Sequence, residues 1–248
     1  MIFRFLGVLG AVFIGGYLVV ATLVYTKQRS LLFFPTHDTA ESPLTAWIVN
    51  GEVIGYCRET ASPKIVWLML HGNGGQASHR SYVLSRISVN DAFYVLEYPG
   101  YGLRRGSPSK DSIDGAAEQA LRALQKRFSP TSIQVVGESL GTGPACYLAS
   151  LTDPPARLVL LVPYDRLSDV ASEKWSWLPV HLLMKDDWDN IDALKNYRGP
   201  VEIFGAIDDR VIPMEHAKNL ADHVPQSRFQ TILGGHDWAS SDSVFRFD

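Results

Sequence analysis

The sequence predicts an α/β fold in which a mostly parallel sheet carries helices on both faces, behind one apolar N-terminal helix. Three observations support this prediction: a long uncharged segment at the start of the chain, an antiparallel hairpin after it, and then short apolar runs that alternate with helical stretches. With 46% hydrophobic and 20% charged residues, the 248-residue chain has an ordinary globular composition. The net charge of −3 argues against an electrostatic nucleic-acid binder, which would be far more basic.

The N-terminal segment has the length of a membrane span. Phe5–Thr26 contains no charged residue, and about 33 Å of helix would cover a hydrocarbon core of about 30 Å. A cleaved signal peptide is the alternative, because Arg4 precedes the run and Val19-Val20-Ala21 resembles a cleavage site. The run continues past that site, so we predict a retained single-pass anchor over residues 1–26 and one catalytic domain over residues 27–248. The few flanking basic residues do not decide which side of the membrane holds the domain.

The elements after the anchor begin with an antiparallel hairpin. Leu44–Val49 and Val53–Arg58 flank Asn50-Gly51, a pair typical of a type I′ turn. A clear helix covers Asp111–Phe128, with acidic residues in its first turn, basic residues in its last turn and Pro130 after it. Six short apolar runs follow the hairpin, as expected for parallel strands buried on both faces: Ile65–Leu70, Phe93–Glu97, Ile133–Val136, Arg157–Val162, Val201–Phe204 and Arg228–Leu233.

One strand leads into a candidate nucleophile. Functional groups on such a sheet lie at the carboxyl ends of the strands, and Gly137-Glu138-Ser139-Leu140-Gly141 occupies that position between a strand and an apolar helical stretch. In a nucleophile elbow, the serine sits on a sharp turn, and the flanking glycines let the strand and the helix approach closely. The sequence therefore predicts Ser139 as the nucleophile. Pro144 fits only if it lies in the first turn of the helix, where a missing N–H is tolerated.

A glycine-rich turn follows another strand. His71-Gly72-Asn73-Gly74-Gly75 comes directly after Ile65–Leu70 and can present backbone N–H groups to an anion. In acyl-transfer enzymes, one oxyanion donor comes from this region and the other from the residue after the nucleophile, here Leu140. A plain tight turn is also compatible with these residues. A phosphate loop is a weaker interpretation, because neither G-x-x-x-x-G-K-[ST] nor G-x-G-x-x-G is present.

The last two predicted strands are followed by carboxylates and a histidine. Asp208 and Asp209 lie on the loop after one strand, and His236 lies on the loop after the other. A carboxylate there would orient the imidazole and fix its tautomer. We assign Asp208 to this role and keep Asp209 as the alternative. The remaining histidines fit ordinary surface positions: His37, His79, His181, His216 and His223.

The candidates occur in the order Ser…Asp…His, each after a predicted parallel strand, which is the order of α/β hydrolases. The chain resembles α/β-hydrolase-fold serine hydrolases, in particular the membrane-anchored group with one N-terminal helix and little or no lid. The resemblance implies Ser139 as nucleophile, His236 as base and Asp208 as orienting acid, with the backbone N–H groups of Leu140 and Asn73 as oxyanion hole. It rests on these segments: Gln28–Pro35, His71–Gly74, Tyr98–Gly102, Gly137–Gly141, Asp208 with Val211-Ile212-Pro213, and Gly235–Asp237.

The resemblance fixes the type of reaction better than the substrate, because the group includes esterases, acyl-protein thioesterases and aminopeptidase-like members. We expect hydrolysis of carboxylic esters or thioesters through an acyl-enzyme intermediate, on acylated or lipid-like substrates and without a metal or cofactor. A serine peptidase is one alternative. A non-catalytic membrane-tethered scaffold is another, because a fold alone does not prove activity.

The stretch between the predicted strand Arg157–Val162 and Val201 is too short for a large lid but rich in apolar residues, which either line an acyl pocket or pack on the sheet. These residues are Tyr164, Trp175, Trp177, Leu178, Pro179, Leu182, Leu183, Met184 and Trp188. The two cysteines, Cys57 and Cys146, cannot form a disulfide framework and are expected to be small buried side chains.

Overall fold

The computed structural model describes residues 2–38, 41–240 and 245–247 of the chain. Its strands are β1 (Thr45–Val49), β2 (Glu52–Arg58), β3 (Val66–Leu70), β4 (Ala92–Leu96), β5 (Ile133–Glu138), β6 (Arg157–Leu161), β7 (Val201–Ala206) and β8 (Ser227–Ile232). Its α-helices are α1 (Ile2–Leu32), α2 (Lys110–Phe128), α3 (Thr142–Ala149), α4 (Leu167–Lys174), α5 (Val180–Leu183), α6 (Asn190–Leu194) and α7 (Met214–His223).

The strands form one eight-stranded sheet in the order β1-β2-β4-β3-β5-β6-β7-β8. The pairs β1–β2 and β2–β4 are antiparallel, and all other neighbours are parallel. The predicted fold class is confirmed, and each predicted strand lies within two residues of an observed one.

The hairpin turn is of the predicted kind. Asn50 and Gly51 have φ values of 53° and 83°, so both central residues lie in the left-handed region, as a type I′ turn requires. Asparagine and glycine are the residues that adopt this conformation at least cost.

The sheet is buried on both faces. All five residues of β3 have no exposed surface, and alternate side chains belong to two different apolar clusters. Leu68 and Leu70 pack with residues of α2 and α3, whereas Trp67 and Met69 pack on the opposite face. Complete burial of one such side chain contributes about 1.5–3 kcal/mol, which explains why the central strands are continuous apolar runs. The thiols of both cysteines are buried, as expected.

The first helix differs from the others in its exposed apolar surface. Its segment Phe5–Leu32 has a mean hydropathy of 2.2, and none of its most apolar window is buried against the rest of the chain. Among the described residues, it is the one helix long and apolar enough to cross a bilayer. Its C-terminal end is attached to the domain, because Arg29 Nε donates to Asp186 Oδ2 at 2.7 Å and Gln28 Nε2 donates to the Leu183 carbonyl at 3.0 Å.

Helices α4 and α5 lie between β6 and β7 and cover part of the carboxyl edge of the sheet. We call residues 167–185 the cap. Its two helices have eight and four residues, which agrees with the predicted short lid.

Candidate active site

Ser139 lies at the turn that was predicted as a nucleophile elbow. It follows β5 directly and begins a short 3-10 turn, Ser139–Gly141, that leads into α3. Its φ is 51°, an unfavourable value for a residue with a side chain. Such strain persists only where the surrounding structure imposes it, and it is most common at functional sites.

The glycines on either side of Ser139 are required for steric reasons. A Cβ on Gly137 would lie 2.8 Å from the Ala145 Cβ, and a Cβ on Gly141 would collide with the Leu70 carbonyl oxygen of β3. Strand and helix therefore approach more closely than side chains would permit. Pro144 is the third residue of α3 and lies in its first turn, so its missing N–H breaks no helical hydrogen bond.

Serine, histidine and a carboxylate form one hydrogen-bonded chain. The Ser139 Oγ lies 2.8 Å from His236 Nε2, and His236 Nδ1 lies 2.8 Å from Asp209 Oδ2. The second oxygen of Asp209 accepts the backbone N–H groups of Val211 and Ile212 at 2.8 and 2.9 Å. The carboxylate is almost fully buried, and these contacts fix its position beside His236.

The carboxylate beside His236 is that of Asp209, and the prediction of Asp208 for this contact is wrong. Strand β7 continues to Ala206, two residues beyond its predicted end, which moves the turn forward along the chain. The backbone N–H of Asp208 donates to the Gly234 carbonyl at 3.0 Å, while its side chain faces solvent. Neighbouring residues of a turn point in different directions, and here the second one points inward.

The glycine-rich turn after β3 lies beside Ser139. A Cβ on Gly72 would be 3.5 Å from the Ser139 Cβ, so the two backbones are close neighbours. The backbone N–H of Gly72 donates to Glu138 Oε2 at 3.3 Å. That donor is therefore engaged within the protein, which leaves the next residue, Asn73, as the candidate oxyanion donor of this turn.

The Asn73 side chain fixes the turn in place. Its Oδ1 accepts the Phe34 backbone N–H at 3.0 Å and the Tyr101 hydroxyl at 2.9 Å, and its Nδ2 donates to the Leu32 carbonyl. Asn73 and Leu140 border the same cavity as Ser139. The end of α1 is thus hydrogen-bonded directly to the turn that contains the candidate oxyanion donor.

The segment Tyr98–Gly102 supports the glycine-rich turn through contacts with backbone carbonyl groups. The Tyr98 hydroxyl donates to the His71 carbonyl at 2.8 Å, and the Gly102 N–H donates to the Thr36 carbonyl at 2.9 Å. Gly102 has a φ of 52°, and a Cβ there would overlap a neighbouring carboxylate. The segment therefore belongs to the support of the site rather than to its reacting groups.

A buried polar network around Glu138 was not predicted from the sequence. Its Oε1 accepts the Tyr82 hydroxyl at 2.6 Å and Trp238 Nε1 at 2.8 Å. Its Oε2 lies 3.6 Å from Arg80 Nη1 and also accepts the Gly72 N–H. Four groups from distant parts of the chain therefore converge on the residue directly before Ser139.

The electrostatics of this network follow from burial. Burial, and then the adjacent Glu138 carboxylate, raise the pKa of Tyr82 well above its usual value, so that its hydroxyl remains a donor. The one sequence signal for the network is an acidic residue at the buried end of strand β5.

A second histidine–aspartate pair lies outside the cavity, and the interpretation of His216 as a surface-loop residue is wrong. His216 lies on α7 and is buried; its Nδ1 is 2.7 Å from Asp165 Oδ1, and its Nε2 is 3.3 Å from Glu173 Oε1. The hydrogen bond that His216 makes to the Asp165 carboxylate raises the pKa of His216, although burial opposes this shift. Burial opposes the charge of Asp165, but hydrogen bonds from His216, Asn219 and the Arg166 N–H lower its pKa overall. His216 thus joins α7 to the loop after β6 through Asp165 and to the cap through Glu173.

We expect His216→Gln to lower the thermal stability of the detergent-solubilised protein more at about pH 6 than at about pH 9. A histidine pKa raised in the folded state stabilises the fold below about pH 6.5, and the effect disappears as the pH rises through the folded pKa. Loss of this buried charged hydrogen bond should cost about 1–3 kcal/mol at the lower pH. His223→Gln, on the exposed part of the same helix, is the control. An equal effect of His216→Gln at both pH values would contradict the prediction.

Ser139 forms part of the wall of a cavity of about 820 Å³. Its wall combines α1, the glycine-rich turn, the cap and the loops after β7 and β8. Of the apolar residues predicted to line an acyl pocket, these border it: Tyr164, Trp175, Leu178, Leu183 and Met184. Trp188 is instead buried elsewhere, with its Nε1 donating to Asp114 Oδ1 at 2.8 Å. The other three predicted residues lie outside the wall: Trp177, Pro179 and Leu182.

Comparison with known proteins finds no matching family model, but it does find similar sequences. An uncharacterized protein of Mycobacterium tuberculosis is 26% identical over 233 residues, which cover 87% of this chain and 82% of that protein. The lysophosphatidylserine lipase ABHD12 of Danio rerio is 30% identical over 202 residues, 73% of this chain but 52% of the lipase. The alpha/beta hydrolase domain-containing protein WAV2 of Arabidopsis thaliana is 27% identical over 229 residues, 82% of this chain and 71% of that protein.

Solved structures show the same fold at lower sequence identity. The Pyrococcus furiosus esterase Pf2001 superposes with a TM-score of 0.63 at 14% identity, over 83% of this chain and 91% of the esterase. Est1E of Butyrivibrio proteoclasticus, solved with ferulic acid bound, gives a TM-score of 0.60 at 16% identity, over 73% of this chain and 86% of that one. The sheet order and these similarities show that the chain has the α/β-hydrolase fold.

Proposed function

We propose that the protein is a serine hydrolase that cleaves carboxylic esters or thioesters of acylated, lipid-like molecules. The observation that carries the proposal is the hydrogen-bonded chain Ser139–His236–Asp209 at the wall of a largely apolar cavity. Serine on a strained elbow, hydrogen-bonded to an imidazole that a buried carboxylate orients, is the arrangement that activates a hydroxyl as a nucleophile.

The proposed reaction assigns roles to the three side chains and to two backbone N–H groups. Ser139 Oγ attacks the acyl carbonyl while His236 Nε2 takes its proton, and Asp209 stabilises the imidazolium that forms. The backbone N–H groups of Leu140 and Asn73 donate to the oxyanion of the tetrahedral intermediate. His236 then protonates the leaving alcohol or thiol, and a water molecule activated by the same imidazole releases the acid and restores Ser139.

The composition of the cavity wall supports an acyl substrate. Apolar side chains from α1, such as Val24 and Leu31, face others from the cap, such as Leu178 and Met184. A cavity of about 820 Å³ lies within the range of ordinary small-molecule sites. The relatives include a lysophosphatidylserine lipase, which agrees with a single acyl chain as the part of the substrate that enters.

We also propose that residues 1–26 are a retained membrane anchor for the domain of residues 27–248. Helix α1 runs without interruption through the signal-like sequence Val19-Val20-Ala21, and Tyr17, which precedes that sequence, packs edge-on against Trp177 of the cap. Cleavage after Ala21 would remove this contact with the domain, which favours retention of the segment. Its exposed apolar side chains suit a lipid environment.

The test is covalent labelling of the detergent-solubilised full chain with a fluorophosphonate, together with turnover of p-nitrophenyl esters from acetate to palmitate. We expect labelling and turnover that both disappear in Ser139→Ala, with the chain-length optimum reporting the size of the cavity. Ser150→Ala, an exposed serine just after α3, is the matched control and should retain both. Labelling together with turnover of amide substrates, but not of esters, would favour the serine-peptidase alternative. An unlabelled wild-type chain would favour the scaffold.

A further inference from the structure

We propose that the tip of the cap, residues 175–184, enters the same membrane leaflet as α1, so that the cavity takes its acyl substrate laterally from the bilayer. The contact with the membrane is independent of the catalytic activity, whereas the lateral entry of a substrate rests on the proposed function. The occupant of this surface is therefore a lipid bilayer rather than a protein partner.

The sequence of the cap tip is typical of a membrane-interface segment. Residues 175–184 contain no Asp, Glu, Lys or Arg, and Lys174 and Lys185 flank them on both sides. Trp177 and Leu182 are 50% and 85% exposed, and Trp175 is also exposed. Exposed apolar side chains clustered in this way mark an interaction surface, and tryptophan between apolar and charged groups is characteristic of the membrane interface.

The fold presents these side chains outward. Leu178 and Val180 are buried, which anchors the tip to the domain. His181 also holds the tip in place, because its Nδ1 lies 3.0 Å from the Ser168 Oγ and its Nε2 lies 3.5 Å from Asp169 Oδ1. The apolar surface is therefore held by the domain and not by a free loop.

The contact between the cap and α1 gives the depth of the tip. The Trp177 ring packs edge-on against the Tyr17 ring, with 6.2 Å between the centroids and 74° between the planes. Tyr17 lies ten residues before Lys27, the first charged residue after the apolar run. That separation is about 15 Å along a helix, or half of a hydrocarbon core. A helix that spans the bilayer up to Lys27 therefore carries Trp177 into the leaflet with it.

Basic and aromatic groups mark the boundary of the same surface. Lys185 Nζ lies 3.9 Å from the centroid of the Tyr25 ring, where α1 meets the end of the cap tip. A lysine stacked on a tyrosine at this level keeps its charge near the headgroups while its stem covers apolar surface. Tyr25 and Lys185 therefore lie at the polar edge, and Tyr17 and Trp177 lie deeper.

The cavity lies between the two elements that contact lipid. Val24 and Tyr25 contribute to its wall from α1, and Trp175 and Leu183 contribute from the cap. An acyl chain that leaves the leaflet between these elements would reach Ser139 without crossing water. Transfer through water costs about 0.8 kcal/mol for each exposed methylene, so such a route favours long acyl chains.

The first test measures tryptophan fluorescence of the full chain in vesicles of phosphatidylcholine with brominated acyl chains. Trp175 and Trp177 are the exposed tryptophans, and the other four are buried in the domain: Trp47, Trp67, Trp188 and Trp238. We expect quenching relative to unbrominated vesicles, and loss of that quenching in the Trp175→Phe/Trp177→Phe variant. Unquenched wild-type emission, or equal quenching in the variant, would overturn the membrane contact. This measurement requires no turnover.

The second test compares an ester embedded in the bilayer with dispersed p-nitrophenyl butyrate. Trp177→Glu combined with Leu182→Glu places charge on the tip outside the cavity wall. We expect a several-fold loss of hydrolysis for the embedded ester and unchanged turnover of the dispersed ester. Val89→Glu, at an exposed apolar residue at the opposite edge of the sheet, should change neither activity. An unchanged rate on the embedded ester, or equal losses on both, would overturn lateral entry. Failure of the wild type on both esters would refute the proposed function and leave the fluorescence result standing.

Discussion

Asp209→Asn is expected to lower kcat for ester hydrolysis by about 10⁴-fold, the loss typical of a triad acid that is converted to its amide. Asparagine would keep the shape of the side chain and can still accept the Val211 and Ile212 N–H groups through its carbonyl oxygen. Its amide nitrogen, however, would face His236 Nδ1 and favour the wrong tautomer, with the proton on Nε2. The Ser139 hydroxyl would then have no base. Turnover of a short p-nitrophenyl ester by the detergent-solubilised chain measures the effect.

Asp208→Asn is the matched control, because it makes the same chemical change one residue earlier. Its side chain faces solvent, so we expect turnover within about twofold of the wild type, since exposed substitutions away from a site have small effects. Thermal unfolding of both variants shows whether the fold is kept. A large loss for Asp208→Asn with retained activity for Asp209→Asn would restore the original prediction and contradict the geometry.

The sheet could be predicted because its signals are local. Continuous apolar runs, the Asn50-Gly51 turn and the charge distribution of α2 each depend on residues within one element. Their order along the chain then restricts the topology, since parallel neighbours require crossovers. The ends of β5 and β7 were each predicted two residues too early. At the end of β5, the polar residue Glu138 did not indicate a buried strand. At the end of β7, the small residues Gly205 and Ala206 do not distinguish a strand from a turn.

The choice between two adjacent aspartates depends on information that is not local. Which of them faces His236 is decided by where β7 ends and by the hydrogen bond between the Asp208 N–H and the Gly234 carbonyl, which joins segments 26 residues apart. The network around Glu138 escaped prediction for the same reason, because its donors Tyr82 and Trp238 are 56 and 100 residues away. Composition and spacing within a motif carry no record of such contacts.

The contribution of α1 to the cavity also could not be foreseen. Its apolar run indicates a span, but nothing in that run predicts that Val24 and Tyr25 border the site or that Leu32 accepts a hydrogen bond from Asn73. These contacts couple α1 to the candidate oxyanion donor. They give a physical reason for the segment Gln28–Pro35 at the end of α1, whose residues the resemblance identified without explaining them.

Gly141→Ala is expected to destabilise the protein by about 3 kcal/mol or more, the upper end of the cost of overpacking a rigid site. Its φ of −65° is ordinary for any residue, so the requirement at this position is space and not conformational freedom. A methyl group would meet the carbonyl oxygens of Leu70 and His71, which belong to the backbone and cannot change rotamer. Strand β3 and the glycine-rich turn would have to move, and ester turnover should fall together with the melting temperature.

Gly115→Ala makes the same substitution at a half-buried position of α2, where a Cβ would have no neighbour within 4 Å. There the added methyl group only raises helix propensity, and we expect a gain of about 1 kcal/mol with unchanged turnover. Thermal unfolding of the two variants in one detergent should therefore shift the melting temperature in opposite directions. If Gly141→Ala were as stable and active as the wild type, the close approach of the elbow to β3 would not be required. The left-handed conformation of Ser139 would then need another cause.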